Sequence, residues 1–208
     1  MCCDDLCGLS KKDCMTLAQD LVAVEQHPFE PFMPPSARFL LIGTFPGWQL
    51  TQKAKTDLAP DDWYYGTNSR SLWHLLEQVY AVSLPSKVAK QELLTRLALG
   101  ITDVVATARR KGQDSQDSHL YDLTFQTESL AHLLRSHPVE TIFFTSQQAQ
   151  KWFNALRPAL QETHQVSMQL LSVPQVVLPS PSPEYIRFKH DTVEGRLAKY
   201  RQLLPAIR

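Results

Sequence analysis

The stretch Arg38-Phe39-Leu40-Leu41-Ile42-Gly43-Thr44-Phe45-Pro46-Gly47 is an apolar run that stops at a glycine and then turns. Four consecutive apolar residues, with no alternation of polar ones, suit a strand covered on both faces. Gly43 and Gly47 let the chain turn tightly and aim backbone amides outward. The stretch therefore predicts a central buried strand with a shaped turn at its carboxyl end.

Upstream, the four prolines of HPFEPFMPPSA (27–37) exclude regular structure. Before them, Asp13 is placed to cap a helix over about 14–26, with Leu17, Leu21, Val22 and Val24 apolar. Downstream, 48–67 has no clear period and reads as a long loop. Leu72, Leu75, Leu76 and Val79 predict a helix over about 69–81, and Ser86 caps another that runs to Gly100. Ile101–Ala106 reads as a strand, 109–118 as a polar loop and 127–136 as a helix. Glu140–Thr145 reads as a strand, with Ser146 capping the helix after it. Segments 166–171 and 174–178 read as strands split by Pro174, and Asp191 with Glu194 has capping-box spacing for a last helix.

Strands alternating with helices predict an α/β fold: a three-layer α/β/α sandwich around a central, mainly parallel sheet. Ligands of such sheets bind beyond the carboxyl ends of the strands. Three segments with unusual chemistry follow strands here: GTFPG (43–47), the loop over 103–118, and PSPSP (179–183). All three are expected to converge on one edge.

Bulk properties narrow the function. The chain has 208 residues, a formal net charge of zero, 43% apolar and 20% charged residues. That describes a soluble globular protein and excludes a histone-like coat on nucleic acid, while leaving room for a local basic groove. No apolar stretch is long enough to span a membrane and no leader pattern is visible, so a cytoplasmic location is expected. Cys2, Cys3, Cys7 and Cys14 lack paired C-x-x-C spacing and read as a reduced tail. The expected division is a cysteine-bearing tail and helix over 1–26 and a single domain over 27–208. The seven histidines have no metal-like pairing, so most are expected at the surface or at caps and no metal is expected. No G-x-S-x-G elbow or Walker loop is present, which lowers esterase and NTPase readings.

Four segments, LLIGTFPG (40–47), YYGTNSRSLWHLL (64–76), GITDVVATARRKGQDSQDSHL (100–120) and VVLPSPSPEY (176–185), occur in an order and spacing that resemble the uracil-DNA glycosylase superfamily. The nearest branches are the mismatch-specific uracil/thymine and hypoxanthine-DNA glycosylases, and the resemblance covers about residues 27–203. It implies a monomeric base-excision repair enzyme. Such an enzyme flips a deaminated or mismatched base out of duplex DNA and hydrolyses its N-glycosidic bond without metal or cofactor.

The resemblance implies a base pocket of Gly43, Thr44, Phe45, Pro46, Gly47, Tyr65 and Gly66, with Tyr65 as the stacking aromatic and Trp73 as the anchor of its helix. A flipped base needs such a flat surface and hydrogen bonds to its edge. The family pattern often has a polar residue just before the first-motif proline to position water, and here Phe45 stands there. The hypoxanthine branch uses an asparagine in the second segment, where Arg70 falls in ungapped register and Asn68 lies two residues earlier. The catalytic candidates are therefore Asn68, then Asp103, then Asp117, with Asp103 alternatively bridged to Arg109 or Arg110. For Asp114 and Asp117 a solvated loop is the preferred reading. Arg70, Arg109, Lys111, Ser180, Pro181, Ser182 and Arg187 are the expected DNA contacts, with Arg110, Lys189 and His190 adding charge. The alternative reading is a catalytically inactive nucleic-acid-binding module of the same fold. A hydrolase acting on a small nucleoside-like ligand ranks third.

Overall fold

The computed structural model describes residues 22–66, 72–182 and 192–207. In chain order its strands are β1 (Glu25–Gln26), β2 (Phe39–Gly43), β3 (Leu99–Asp103), β4 (Val105–Arg110), β5 (Leu120–Phe125), β6 (Thr141–Phe144) and β7 (Gln175–Val177). Its α-helices are α1 (Trp48–Thr51), α2 (Leu72–Tyr80), α3 (Lys87–Arg96), α4 (Thr127–Ser136), α5 (Gln147–Glu162), α6 (Met168–Leu171) and α7 (Val193–Leu203).

The apolar run 39–42 is the axis of the fold. β2 pairs in parallel with β3 on one side and β6 on the other, and β7 extends the sheet to the order β3-β2-β6-β7. Alternate side chains of β2 enter two separate cores. Leu41 joins Leu99, Ile101 and Phe143 under α2, α3 and α7. Leu40 and Ile42 join Ile142 and Phe144 under α4 and α5. Helices on both faces make the three-layer α/β/α sandwich expected from the pattern. Leu40, Leu41 and Ile42 are at most 1% exposed, so each contributes about 1.5–3 kcal/mol of burial.

A second sheet was not expected. β1, β4 and β5 form an antiparallel sheet in the order β1-β4-β5. The predicted strand 101–106 is therefore two strands that bend at Val104, whose N–H is taken by the Gly43 carbonyl at 3.0 Å. Arg109 and Arg110 belong to β4 rather than to a loop, and β5 lies where no element was expected. Glu25–Gln26, expected at the end of a helix, pairs as a strand with Ala108 and Thr107.

Four helix caps follow the serine and threonine rule. Ser86 Oγ accepts from Ala89 N at 3.2 Å and Ser146 Oγ from Ala149 N at 3.1 Å, as expected. The last helix is capped by Thr192, whose hydroxyl accepts from Gly195 N at 2.9 Å; Asp191 lies outside the described residues. Residues 168–171 are helical, not a strand, because Ser167 caps them through Leu170 N. Part of the long segment 48–67 is ordered as α1 and a turn of 3₁₀ helix at Lys55–Asp57.

Candidate active site at the carboxyl edge of the parallel sheet

β2 and β3 end side by side, with Gly43 paired to Asp103. A Cβ on Gly43 would stand 2.5 Å from the Tyr65 hydroxyl oxygen and closer still to Asp103 Oδ1. Glycine at position 43 is thus what lets a carboxylate and a phenol meet over the end of the central strand.

Asp103 is 4% exposed and is held from the other side by His27. Nε2–H of His27 donates to Asp103 Oδ2 at 3.0 Å. Nδ1 faces Phe29, accepting from its N–H at 3.2 Å when the ring is neutral or donating to its carbonyl at 2.9 Å when the ring is charged. Phe29, Phe45 and Tyr64 pack around the imidazole at 5.6–6.0 Å between ring centroids. β1 delivers His27 to this place, and the His27 N–H continues the pairing onto Ala106 O at 2.9 Å. Most histidines were expected at the surface or at caps; His27 is instead 8% exposed because it links the prolines to the sheet edge. The alternative bridges from Asp103 to Arg109 or Arg110 do not form: Arg109 pairs with Asp122 and Arg110 with Glu25.

Tyr65 sits in the left-handed region at φ 61°, followed by Gly66 at φ 63°. A non-glycine residue there costs on the order of 1 kcal/mol, sustained by the packing around it. Its hydroxyl donates to Thr145 Oγ1, at the end of β6, at 2.8 Å. Burial, with the charge of Asp103 second, pushes the phenol well above its ordinary value, so Tyr65 stays a neutral donor. The neighbouring Tyr64 is fully buried and donates to Glu30 O at 3.1 Å. Trp73 stacks on Trp63 with a centroid distance of 5.4 Å and donates to Tyr64 O at 2.5 Å, which fixes the start of α2.

The turn 43–47 is clamped by Arg110. Its guanidinium meets the Glu25 carboxylate, donates to Pro46 O at 2.9 Å and to Asp114 O at 2.8 Å, and lies over the Phe45 ring. Arg110 is thus buried and committed to the turn, where a surface phosphate contact was expected. Asp114 pairs with His119 at 2.7 Å. Asp117 is partly buried. Burial first, then the charge of Asp103, raise its carboxyl to about 6 against the lowering effects of Thr44 and Arg110. Asp117 is therefore not simply a solvated loop residue.

The third expected segment also reaches this edge. Leu178 N continues β7 onto Phe144 O at 2.8 Å, and the chain passes into Ser180, Pro181 and Ser182. Arg196 of α7 donates through Nη1 to the carbonyls of all three, and Tyr200 donates to Pro179 O at 2.8 Å. Lys111 is exposed, with its ammonium 5.7 Å from the Tyr121 ring, and Arg109 also donates to the Val22 carbonyl. Asn68, Arg70 and Arg187 lie outside the described residues. Glu25, His27, Thr145 and Arg196 had no sequence signal. The first three act through partners far along the chain, 76 residues away for His27 and Asp103, and Arg196 through the loop that precedes its helix.

The geometry defines an α/β protein with its site beyond the carboxyl ends of parallel strands, furnished with carboxylates and a neutral phenol. The chain belongs to the uracil DNA glycosylase superfamily, whose family model matches residues 30–206. Members of that superfamily are DNA glycosylases, hydrolases of base-excision repair that act on DNA. No curated protein matches the chain in sequence. In fold it is similar to the solution NMR structure of a protein from Methanosarcina acetivorans provisionally named a uracil DNA glycosylase. The two share 21% identity at a TM-score of 0.58, over 87% of this chain and 99% of that one. Among the described residues no helix is long and apolar enough to cross a membrane.

Proposed function

We propose that the chain is a monofunctional DNA N-glycosylase that extrudes a deaminated or mismatched base, of the uracil or hypoxanthine type, from duplex DNA and hydrolyses its glycosidic bond. The observation that carries this reading is the meeting of Asp103 and Tyr65 over Gly43. Loss of the base leaves an oxocarbenium-like sugar, and a fixed carboxylate beside it stabilises that charge and orients the incoming water. Asp103, held by His27, takes this role, which Phe45 cannot fill. Tyr65 offers a face for stacking, and the Gly43–Gly47 turn with Gly66 shapes the rest of the pocket. Asn68 is the other candidate for the water. Lys111, Arg109, Arg70, Arg187 and the Ser180–Ser182 loop are the proposed contacts to the DNA backbone.

The test is base release from duplexes carrying uracil, hypoxanthine, xanthine or mismatched thymine, read as alkali-labile sites. At least one duplex is expected to be cleaved, and Asp103→Asn to slow it by about 10²-fold or more. Phe45 before the first-motif proline favours a second reading, a binding module of the same fold. Salt-sensitive binding to all four duplexes with release from none would select that module.

A further inference from the structure

We propose that the attacking water is held over Gly43 between Asp103 Oδ1 and the hydroxyl oxygen of Tyr65, donating one O–H to each. Thr145 is the positioning residue that sets which way the Tyr65 hydroxyl points. The inference rests on the glycosylase reading above.

Two oxygens converge at the end of the central strand. The Tyr65 hydroxyl oxygen and Asp103 Oδ1 both stand within 2.5 Å of the point where a Cβ on Gly43 would lie. Neither brings a proton to the other. Asp103 has its Oδ2 on the His27 N–H, and among the described residues no donor engages Oδ1. Tyr65 spends its one hydroxyl proton on Thr145 Oγ1 at 2.8 Å. What the phenol turns toward the carboxylate is therefore an acceptor. A charged acceptor and a neutral one that face each other are reconciled by a molecule with two donors between them, and water is the smallest. A water that gives both hydrogens away keeps its lone pairs for attack.

Both arms of this cradle are fixed by the fold. Thr145 directly follows β6, is 4% exposed, and its N–H donates to Ile42 O at 3.1 Å, one residue before Gly43. The turn that carries Tyr65 is closed by the Gly66 N–H on Trp63 O at 2.8 Å, and the Lys90 ammonium reaches Gly66 O at 3.4 Å. A left-handed tyrosine kept in place by its surroundings marks a position where direction matters. Burial, with the charge of Asp103 second, keeps the phenol protonated, so the proton given to Thr145 stays there. The hydroxyl serves the water and leaves the stacking role of the ring unchanged.

The step balances. The water oxygen forms the C1′–O bond as the C1′–N bond breaks, and the electron pair of that bond leaves with the base. One water proton passes to Asp103 Oδ1 and then to solvent, and the departing base takes a proton from solvent in its place.

Single-turnover base release tests the assignment on whichever of the four duplexes the wild type cleaves fastest, with Kd for that duplex measured alongside. Tyr65→Phe keeps the ring and is expected to lose about 10- to 100-fold in rate with Kd within about twofold. Thr145→Val frees the Tyr65 proton to turn onto Asp103 and is expected to lose as much. Thr145→Ser restores the acceptor and is expected to recover most of the rate. The double variant is expected to be no slower than either single one, because both remove the same acceptor. The product gives a readout that a structural role would not move. In aqueous methanol the wild type is expected to release the free sugar, since methanol has one O–H and cannot serve both acceptors. Tyr65→Phe is expected to form the methyl glycoside as well. A product ratio unchanged in Tyr65→Phe, with circular dichroism showing a folded protein, overturns the proposal and leaves the glycosylase reading intact. A wild-type rate in Thr145→Val does the same, and decides the matter if Tyr65→Phe does not fold. Absence of base release by the wild type on every duplex overturns both.

Discussion

Two buried arginines hold two loops at the same edge of the sheet, and they do it differently. Arg110 grips the turn after β2 with its charge met by the Glu25 carboxylate; the two side chains are 2% and 6% exposed. Glu25 also accepts from the Thr51 hydroxyl at 2.8 Å, so β1, α1, the turn and the Asp114 loop share one ionic centre. Arg196 grips the loop after β7 through the carbonyls of Ser180, Pro181 and Ser182, at 3.1–3.4 Å. Its grip comes from one helix, assisted by Tyr200 on Pro179. The first turn is thus a fixed wall of the site, cross-linked by several segments. The last loop is as well placed as the docking of α7 makes it.

Removing the first clamp has the largest expected effect. Arg110→Met leaves Glu25 buried without its guanidinium, and such a broken pair costs about 3–5 kcal/mol. Urea unfolding is expected to show this loss, and Glu25→Gln added to Arg110→Met is expected to recover part of it. If the double variant were no more stable than the single one, the stranded carboxylate would not be the source of the cost.

Removing the second clamp is expected to cost less and to act elsewhere. Arg196→Met withdraws a donor from three carbonyls, a loss of about 2 kcal/mol. The loop it frees is a proposed DNA contact, so KM for duplex DNA is expected to rise several-fold while kcat stays within about twofold. Equal losses in kcat would mean that the loop shapes the reacting centre as the first turn does.

The contrast also explains what could be read from the sequence. The central strand was legible because Phe39–Ile42 carry no polar interruption, and the helix starts were legible because Ser86 and Ser146 cap locally. The sheet edge that gathers the site followed from the place of three unusual segments just after strands. The antiparallel sheet was not legible. β1 has two residues, Glu25 is a charged residue buried only through Arg110, and β5 alternates polar and apolar residues around a positive φ at Asp122. For the same reason Arg109 and Arg110 looked like a basic loop: nothing local announces a carboxylate 85 residues upstream. His27 was hidden in the same way, since its partner Asp103 comes from another strand.

The smallest expected effect has the opposite sign and separates the two regions by pH. Asp117 rises from an ordinary carboxylate value to about 6 on folding. The folded state then binds a proton more tightly than the unfolded one, so ionising Asp117 at neutral pH costs stability. The cost is full above about 6, shrinks as pH falls through that value and vanishes below the unfolded value of about 4. Asp117→Asn is therefore expected to stabilise the protein by about 1–2 kcal/mol at pH 7.5 after allowance for partial exposure, and by nothing near pH 4. Thermal melts of the wild type and Asp117→Asn across this range are expected to show a gain that grows with pH. A gain that did not change with pH would mean that Asp117 binds its proton equally in the folded and unfolded protein, and would remove the electrostatic distinction between the two ends of the site.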